Sequence, residues 1–195
     1  MAAGSPSTWD ASAAISRCSI QPWTGVVWRC HTRKYAGDDA TGSLGTTGRF
    51  NRGTDTCAAN ESWPALYISL ALHVALGERL RHTTRESLKS LAHQRLSRLR
   101  VALHAVINLC APGGCAEIDL AGIDLHSLCQ PMDYERTHQI AEIARVTVEA
   151  LLVPSCTRFP EGNLIVFPDR LRTGSILIIE ETQDPELFVD WESYA

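Results

Sequence analysis

The sequence predicts an α+β domain. Three observations carry that reading: short β-branched and aromatic runs recur along the chain, other segments place apolar residues at helical steps, and the two kinds are interleaved without an internal repeat. At 195 residues the chain fits one domain, and 45% hydrophobic with 21% charged residues is an ordinary composition for a protein with a buried core.

Taken in order, residues 1–20 are rich in Ala and Ser and read as a flexible N-terminal arm ahead of a domain spanning 21–195. Val26-Val27-Trp28, within Gly25 to Cys30, has strand character. Gly, Thr and Asp dominate Ala36 to Gly53, which reads as a long loop, and loops of that size in compact domains are usually functional or mobile. Leu66 to Ser69 is a short apolar strand. It leads into a helix over Ala71 to His82, where Ala71, Val74, Ala75 and Glu78 share one face and set a carboxylate among small residues. Leu99, Val101, Leu103 and Ala105 alternate within Arg95 to Leu109, the period of a half-buried strand. Pro112-Gly113-Gly114 breaks the chain, and helices are expected over Leu120 to Leu128 and Asp133 to Ala144, the second capped by Asp133. Val148 to Val153, Asn163 to Phe167 and Ser175 to Glu180 complete the strands.

Composition excludes several classes of function. With 18 Lys+Arg against 22 Asp+Glu the net charge is −4, which offers no broad positive footprint for phosphate neutralisation, so direct nucleic-acid binding is not expected. No run approaches the ~20 apolar residues of a membrane span, and Met1 to Ala14 lacks the basic and apolar regions of a secretory signal. A soluble, cytoplasmic protein is expected. Seven cysteines, Cys18, Cys30, Cys57, Cys110, Cys115, Cys129 and Cys156, are odd in number and irregular in spacing, so they read as small buried thiols, not as a disulfide framework. Cys110 and Cys115 flank a turn, but His104 and His126 complete no compact metal motif with them. Gly42, Gly45 and Gly48 precede no helix, which argues against a Rossmann phosphate loop.

Five polar features stand beside strands or on the small-residue helix face: Arg29 after Trp28, Arg49 in Gly48-Arg49-Phe50-Asn51, Tyr67, Glu78 and Ser155 after Val153-Pro154. Each has an ordinary reading alone. Arg29 can end an edge strand and reach solvent, Glu78 can pair with Arg81 or Arg85, and Ser155 can fill a turn after Pro154. Their order is more specific. Val27-Trp28-Arg29, Gly48-Arg49-Phe50-Asn51 with Gly53, Leu66 to Ser69, Ala75-Leu76-Gly77-Glu78, Val153-Pro154-Ser155 and Asn163 to Phe167 together resemble the RES-domain family, over about Trp28 to Phe167. The family is named for an Arg, a Glu and a Ser, which here are Arg29, Glu78 and Ser155. The segment between Arg29 and Gly48 is longer than usual, and Cys156 replaces a small residue.

The resemblance implies mixed sheets with flanking helices, similar in fold to ADP-ribosyltransferases. It implies a toxin that cleaves NAD+ at the nicotinamide–ribose bond, with NAD+ as substrate and no cofactor. It also implies a cognate antitoxin, and leaves room for a homo-oligomer within that complex. Glu78 would stabilise an oxocarbenium-like transition state. Arg29 and Arg49 would bind the pyrophosphate, with Asn51 also on the substrate. Tyr67 would stack on nicotinamide and orient it through its hydroxyl. Ser155 would bond a ribose hydroxyl or hold Glu78 in place. Water, phosphate and a protein side chain all remain open as acceptor, so glycohydrolase, phosphorylase and ADP-ribosyltransferase activities stand side by side. A binding module that kept the pocket without activity is the non-enzymatic alternative, and the presence of Glu78 weighs against it.

Overall fold

The apolar runs become six strands among the residues that the computed structural model describes, 10–81, 93–110, 134–157 and 161–185. They are β1 (Ile20–Thr32), β2 (Leu66–Ser69), β3 (Gln94–Asn108), β4 (Ala150–Val153), β5 (Asn163–Val166) and β6 (Ile176–Gln183). The sheet order is β1-β2-β5-β4-β3-β6, and β1 also pairs with β3 along nearly its whole length, so five strands close on themselves like a barrel with β6 outside. All pairings are antiparallel except β3–β4. The helices are α1 (Ala11–Arg17), the single turn α2 (Gly42–Gly45), α3 (Leu72–Arg81) and α4 (Glu135–Ala144). The α+β class expected from the sequence is the class found.

Two cores follow from the period of two along each strand. Val27, Leu66, Ile68, Leu99, Val101, Leu152, Leu164 and Val166 come from all five ring strands and fill the space they enclose. Leu151, Val153 and Ile165 point the other way, onto Ile140, Ala141 and Ala144 of α4 and Ile15 of α1. With both faces covered, β4 and β5 are buried at every residue, which is why they read as unbroken apolar runs.

Strand β3 changes sides partway. Register runs from Gln21↔Val106 to Trp23↔Leu103, so β3 carries one more residue than β1 across that interval, a β-bulge opposite Pro22. Upstream, Leu99, Val101 and Leu103 face the ring interior; downstream, Ala105, Ile107 and Leu109 face the helices. The expectation that Ala105 continues the Leu99–Leu103 face is therefore corrected by the bulge. The buried Glu149 holds this kink: its Oε2 accepts from His104 N at 2.6 Å and Ala105 N at 2.9 Å. Its Oε1 accepts from Arg172 N at 2.8 Å and from the Ser175 hydroxyl.

Other expectations change too. The arm expected over residues 1–20 contains α1, whose Ala11, Ala14 and Ile15 are buried, with Asp10 as its N-cap bonding Ala13 N. Small residues let this helix lie close to α4. Strand β1 begins at Ile20, earlier than Gly25, because the bulge absorbs Pro22. Helix α4 has Tyr134 at its N-cap with no side-chain cap bond. Leu120 to Leu128, Asp133, Cys115 and Cys129 lie outside the described residues. Of the five described cysteines only Cys18 is buried; Cys30, Cys57, Cys110 and Cys156 are half-buried, which corrects the reading of uniformly buried thiols. Among the described residues no helix is long and apolar enough to cross a membrane, and no cluster of His, Cys, Asp or Glu is arranged to hold a metal.

Candidate active site

One row of the sheet assembles the site. Trp28 of β1 pairs with Ser69 of β2, Ser69 with Asn163 of β5, and Asn163 with Val153 of β4. Arg29 follows the first member of that row, and Pro154-Ser155-Cys156 follow the last. Helix α3 leaves β2 just beyond Ser69 and returns Glu78 over the same rim. Residues remote in sequence meet because strand ends meet.

The Glu78 carboxylate is held firmly on one side. Its Oε1 accepts from Ser155 Oγ at 2.6 Å, Asn163 Nδ2 at 2.8 Å and Cys156 N at 2.9 Å. Its Oε2 faces Arg81 Nη1 at 3.9 Å. Burial pushes the pKa up, but the bonds from Ser155, Asn163 and Cys156, with the Arg49 charge, outweigh it and hold the group below the ordinary glutamate range. Glu78 is ionised at neutral pH.

The opposite wall is the turn at Gly48–Asn51, closed by bonds between the two end residues. Phe50 at its tip is fully buried in the helix-side core, which turns the neighbouring Arg49 outward. Arg49 donates from Nη1 to Cys156 Sγ at 2.7 Å and from Nη2 to Pro154 O at 3.4 Å. Gly48 has no room for a Cβ, which would lie 2.6 Å from Asn51 Oδ1 and 2.8 Å from the Tyr67 hydroxyl. The imidazole Nε2 of His138 on α4 lies 2.8 Å from Gly48 O and fastens the turn from behind.

Between these walls lies a cleft of about 370 Å³, of a size with small-molecule sites. Among the described residues, four arginines line it, Arg29, Arg49, Arg79 and Arg81, against the single carboxylate of Glu78. Trp28, Tyr67 and Tyr134 add aromatic surface. A chain of net charge −4 thus concentrates positive charge in its cleft, an arrangement that favours an anionic ligand.

The structure brings Arg29, Arg49, Tyr67 and Glu78 to this cleft. It does not bring Asn51 there. Asn51 is 1% exposed, donates to Ser43 O and Thr46 O, and accepts from the Tyr67 hydroxyl, so it pins the loop. Ser155, 9% exposed, sits behind Glu78 and gives its proton to the carboxylate, not to a ligand in the cleft. The Tyr67 hydroxyl accepts from Phe50 N at 2.7 Å and donates to Asn51 at 2.9 Å. Its ring, not its hydroxyl, is what it offers the cleft. Arg29 donates from Nη1 to the carbonyls of Asp39 at 2.7 Å, Gly37 at 3.0 Å and Ala36 at 3.4 Å, so it also fastens the loop beside the cleft. Burial lowers its pKa to about 10 against the pull of Asp39 and Asp38, leaving it charged.

Asn163, Cys156, Arg79, Arg81, Tyr134 and Trp28 were not anticipated as site residues. For Asn163 a signal exists: it is the one polar residue opening an otherwise apolar, buried strand. The Cys156 contribution is a backbone N–H, to which side-chain patterns are blind.

A family model described as the RES domain matches residues 26–190. Among solved structures, a chain of the "Crystal structure of the M.tuberculosis MbcT-MbcA toxin-antitoxin complex" superposes with a TM-score of 0.74. The two are 20% identical, and the match covers 91% of this chain and 93% of that one, a likeness of fold. No curated protein matches the sequence significantly.

Proposed function

The chain belongs to the RES-domain family, and from that premise we propose that it is the toxin of a cytoplasmic toxin–antitoxin pair and breaks NAD+ at the nicotinamide–ribose bond. One observation carries the reading: an ionised carboxylate stands in a cleft whose other charged lining, among the described residues, is four arginines. A dinucleotide needs that combination. Its pyrophosphate calls for guanidinium forks, and its scissile sugar calls for a negative group where positive charge develops.

In this reading Arg49 and Arg29 receive the pyrophosphate, and the Tyr67 ring stacks on the nicotinamide. Nicotinamide departs with the electrons of the glycosidic bond and becomes neutral, so no general acid is required. The oxocarbenium left at the ribose carbon is stabilised by Glu78 through Oε2, the oxygen not bound by Ser155, Asn163 and Cys156. An acceptor oxygen then bonds to that carbon and its proton passes to solvent. Water yields ADP-ribose; phosphate yields the 1-phosphorylated ADP-ribose.

The antitoxin belongs to the same proposal. The structural neighbour was solved as a toxin-antitoxin complex, and an enzyme that consumes a central cofactor needs restraint in its own cell. The test is direct. The purified chain, freed of any partner, is incubated with NAD+ with and without phosphate, and the products are identified. Nicotinamide release is expected in at least one arm. Intact NAD+ in both arms, with folded protein, overturns the proposal.

A further inference from the structure

Ser69 lines the cleft and stands one residue removed, through Asn163, from the carboxylate that the proposed reaction uses. Ser69 and Asn163 are cross-strand partners on β2 and β5, and both are 5% exposed. Ser69 Oγ donates to Asn163 Oδ1 at 2.7 Å, and Asn163 Nδ2 donates to Glu78 Oε1 at 2.8 Å. The direction of this chain is set by chemistry. An ionised carboxylate only accepts, so the amide must face it with nitrogen; the amide oxygen then faces Ser69, which must donate. Ser69 has one proton to give, and giving it leaves the amide a single orientation.

We infer that Ser69 and Asn163 form a positioning relay that aims Glu78: Ser69 locks the amide, and the amide fixes Oε1 so that Oε2 is the oxygen presented to the cleft. Neither residue need touch substrate to act this way. The inference rests on the reading of Glu78 as the group that meets the reacting sugar. Ser155 and the Cys156 N–H hold the same oxygen from the loop after β4. Three donors from two elements leave the carboxylate no rotation about its terminal bond without losing hydrogen bonds.

Two consequences separate this role from mere packing. Without the Ser69 proton the amide oxygen loses its anchor, and the amide can swing away from Oε1 and weaken its hold on Glu78. Without the Asn163 donor the charged form of Glu78 loses support, so its titration moves to higher pH. The charged groups facing Glu78 are Arg49 from the Gly48–Asn51 turn and Arg81 from its own helix, and neither is altered by these changes.

The experiment uses the full chain as Ser69→Ala, Ser69→Thr, Asn163→Ala and Asn163→Asp, each checked for native circular dichroism. Turnover of NAD+ is measured against pH, and the Glu78 carboxyl carbon is titrated by NMR, assigned through Glu78→Gln. For Ser69→Ala we expect kcat to fall roughly ten- to hundred-fold, the scale of a small misplacement, with KM changed less than about twofold. Ser69→Thr, which keeps the hydroxyl, restores most of the rate. Asn163→Ala raises the acid limb and the NMR midpoint together, and Asn163→Asp raises them further by adding a like charge. Folded Ser69→Ala and Asn163→Ala proteins with unchanged kcat and Glu78 midpoint overturn the relay. If the wild-type chain leaves NAD+ intact while the Glu78 midpoint still rises in Asn163→Ala, the relay stands and the NAD+ reading falls.

Discussion

At the residue scale the site turns on how much each polar group is already engaged. Glu78 keeps one oxygen available, so Glu78→Gln should remove the charge without removing the shape. Its loss of turnover should correspond to about 3–4 kcal/mol, the scale of one lost electrostatic stabiliser. Steady-state NAD+ cleavage in a protein with unchanged melting checks this, and full activity there would exclude the assigned role. Because the folded pKa of Glu78 is lowered, wild-type kcat should hold as pH falls past the ordinary glutamate value of 4.5 and drop only below it. Arg29 is different, since its Nη1 is already caged by the Asp39, Gly37 and Ala36 carbonyls. Arg29→Lys should therefore restore little relative to Arg29→Ala: one ammonium cannot both fill the cage and reach a phosphate. Both variants should raise KM and lower kcat, and cleavage at residues 36–39 under limited proteolysis should quicken. Near-wild-type kinetics in Arg29→Lys would show that the planar fork is dispensable. The motif order in the sequence singles out Arg29, Arg49, Tyr67 and Glu78, and all four line the cleft. Ser155 bonds Glu78, the second of its two expected roles, while Asn51 stands off the cleft and braces the loop, because a polar residue beside a site looks the same in sequence whether it meets ligand or braces a neighbour.

At the element scale, period and turn residues made β2, α3, β4 and β5 legible to within two residues or so, since burial on a fixed face leaves a direct trace in the pattern. What left no trace was the phase change inside β3. Alternation at Leu99, Val101, Leu103 and Ala105 looked continuous, yet one extra residue hands Ala105 to the other core. Glu149 explains how the bulge is tolerated, with its carboxylate receiving the two N–H groups there and tying them to Arg172 and Ser175. Glu149→Gln would turn an amide donor toward donors and should cost about 3 kcal/mol, a fall in Tm of roughly 6–12 °C for a chain of this size. The Glu149 pKa is lowered despite burial by the bonds from Ser175, Arg172, His104 and Ala105. Its contribution is therefore fully present above the ordinary value of 4.5 and lost as pH falls through the lower folded value. The Tm gap between wild type and Glu149→Gln should close over that same range, and a gap independent of pH would mean the charge is not what holds the bulge. Helix α1 was hidden for another reason: its buried face at Ala11, Ala14, Ile15 and Cys18 has helical spacing but is built mostly from small residues. If α1 is an integral layer, Ile15→Ala should destabilise by about 2–4 kcal/mol, as for other buried large-to-small changes. A dangling arm would give none, and chemical denaturation distinguishes the two.

At the scale of the whole molecule, charge is segregated. The chain carries −4 overall while its cleft is lined by four arginines, so the cleft is the natural point of attack for an inhibitor carrying negative charge. The expected antitoxin works by occlusion: a side-chain or terminal carboxylate of the partner enters between Arg49 and Arg29 and matches the substrate's charge without offering a bond to break. Three consequences follow from that geometry. Inhibition should be competitive with NAD+ at early times, because plug and pyrophosphate need the same guanidiniums. It should weaken with salt, although less than for a surface contact, since a half-buried cleft is poorly screened. Arg49→Ala, which keeps the Phe50 anchor and with it the turn, should loosen inhibition even where residual NAD+ turnover persists. The decisive preparation is the purified complex with the antitoxin's terminal segment removed. That complex should stay assembled through contacts outside the cleft and yet consume NAD+. Its expression should arrest bacterial growth, with intracellular NAD+ falling first. A shortened antitoxin that still binds and still blocks turnover completely would move the inhibitory contact away from the arginines and end the plug hypothesis.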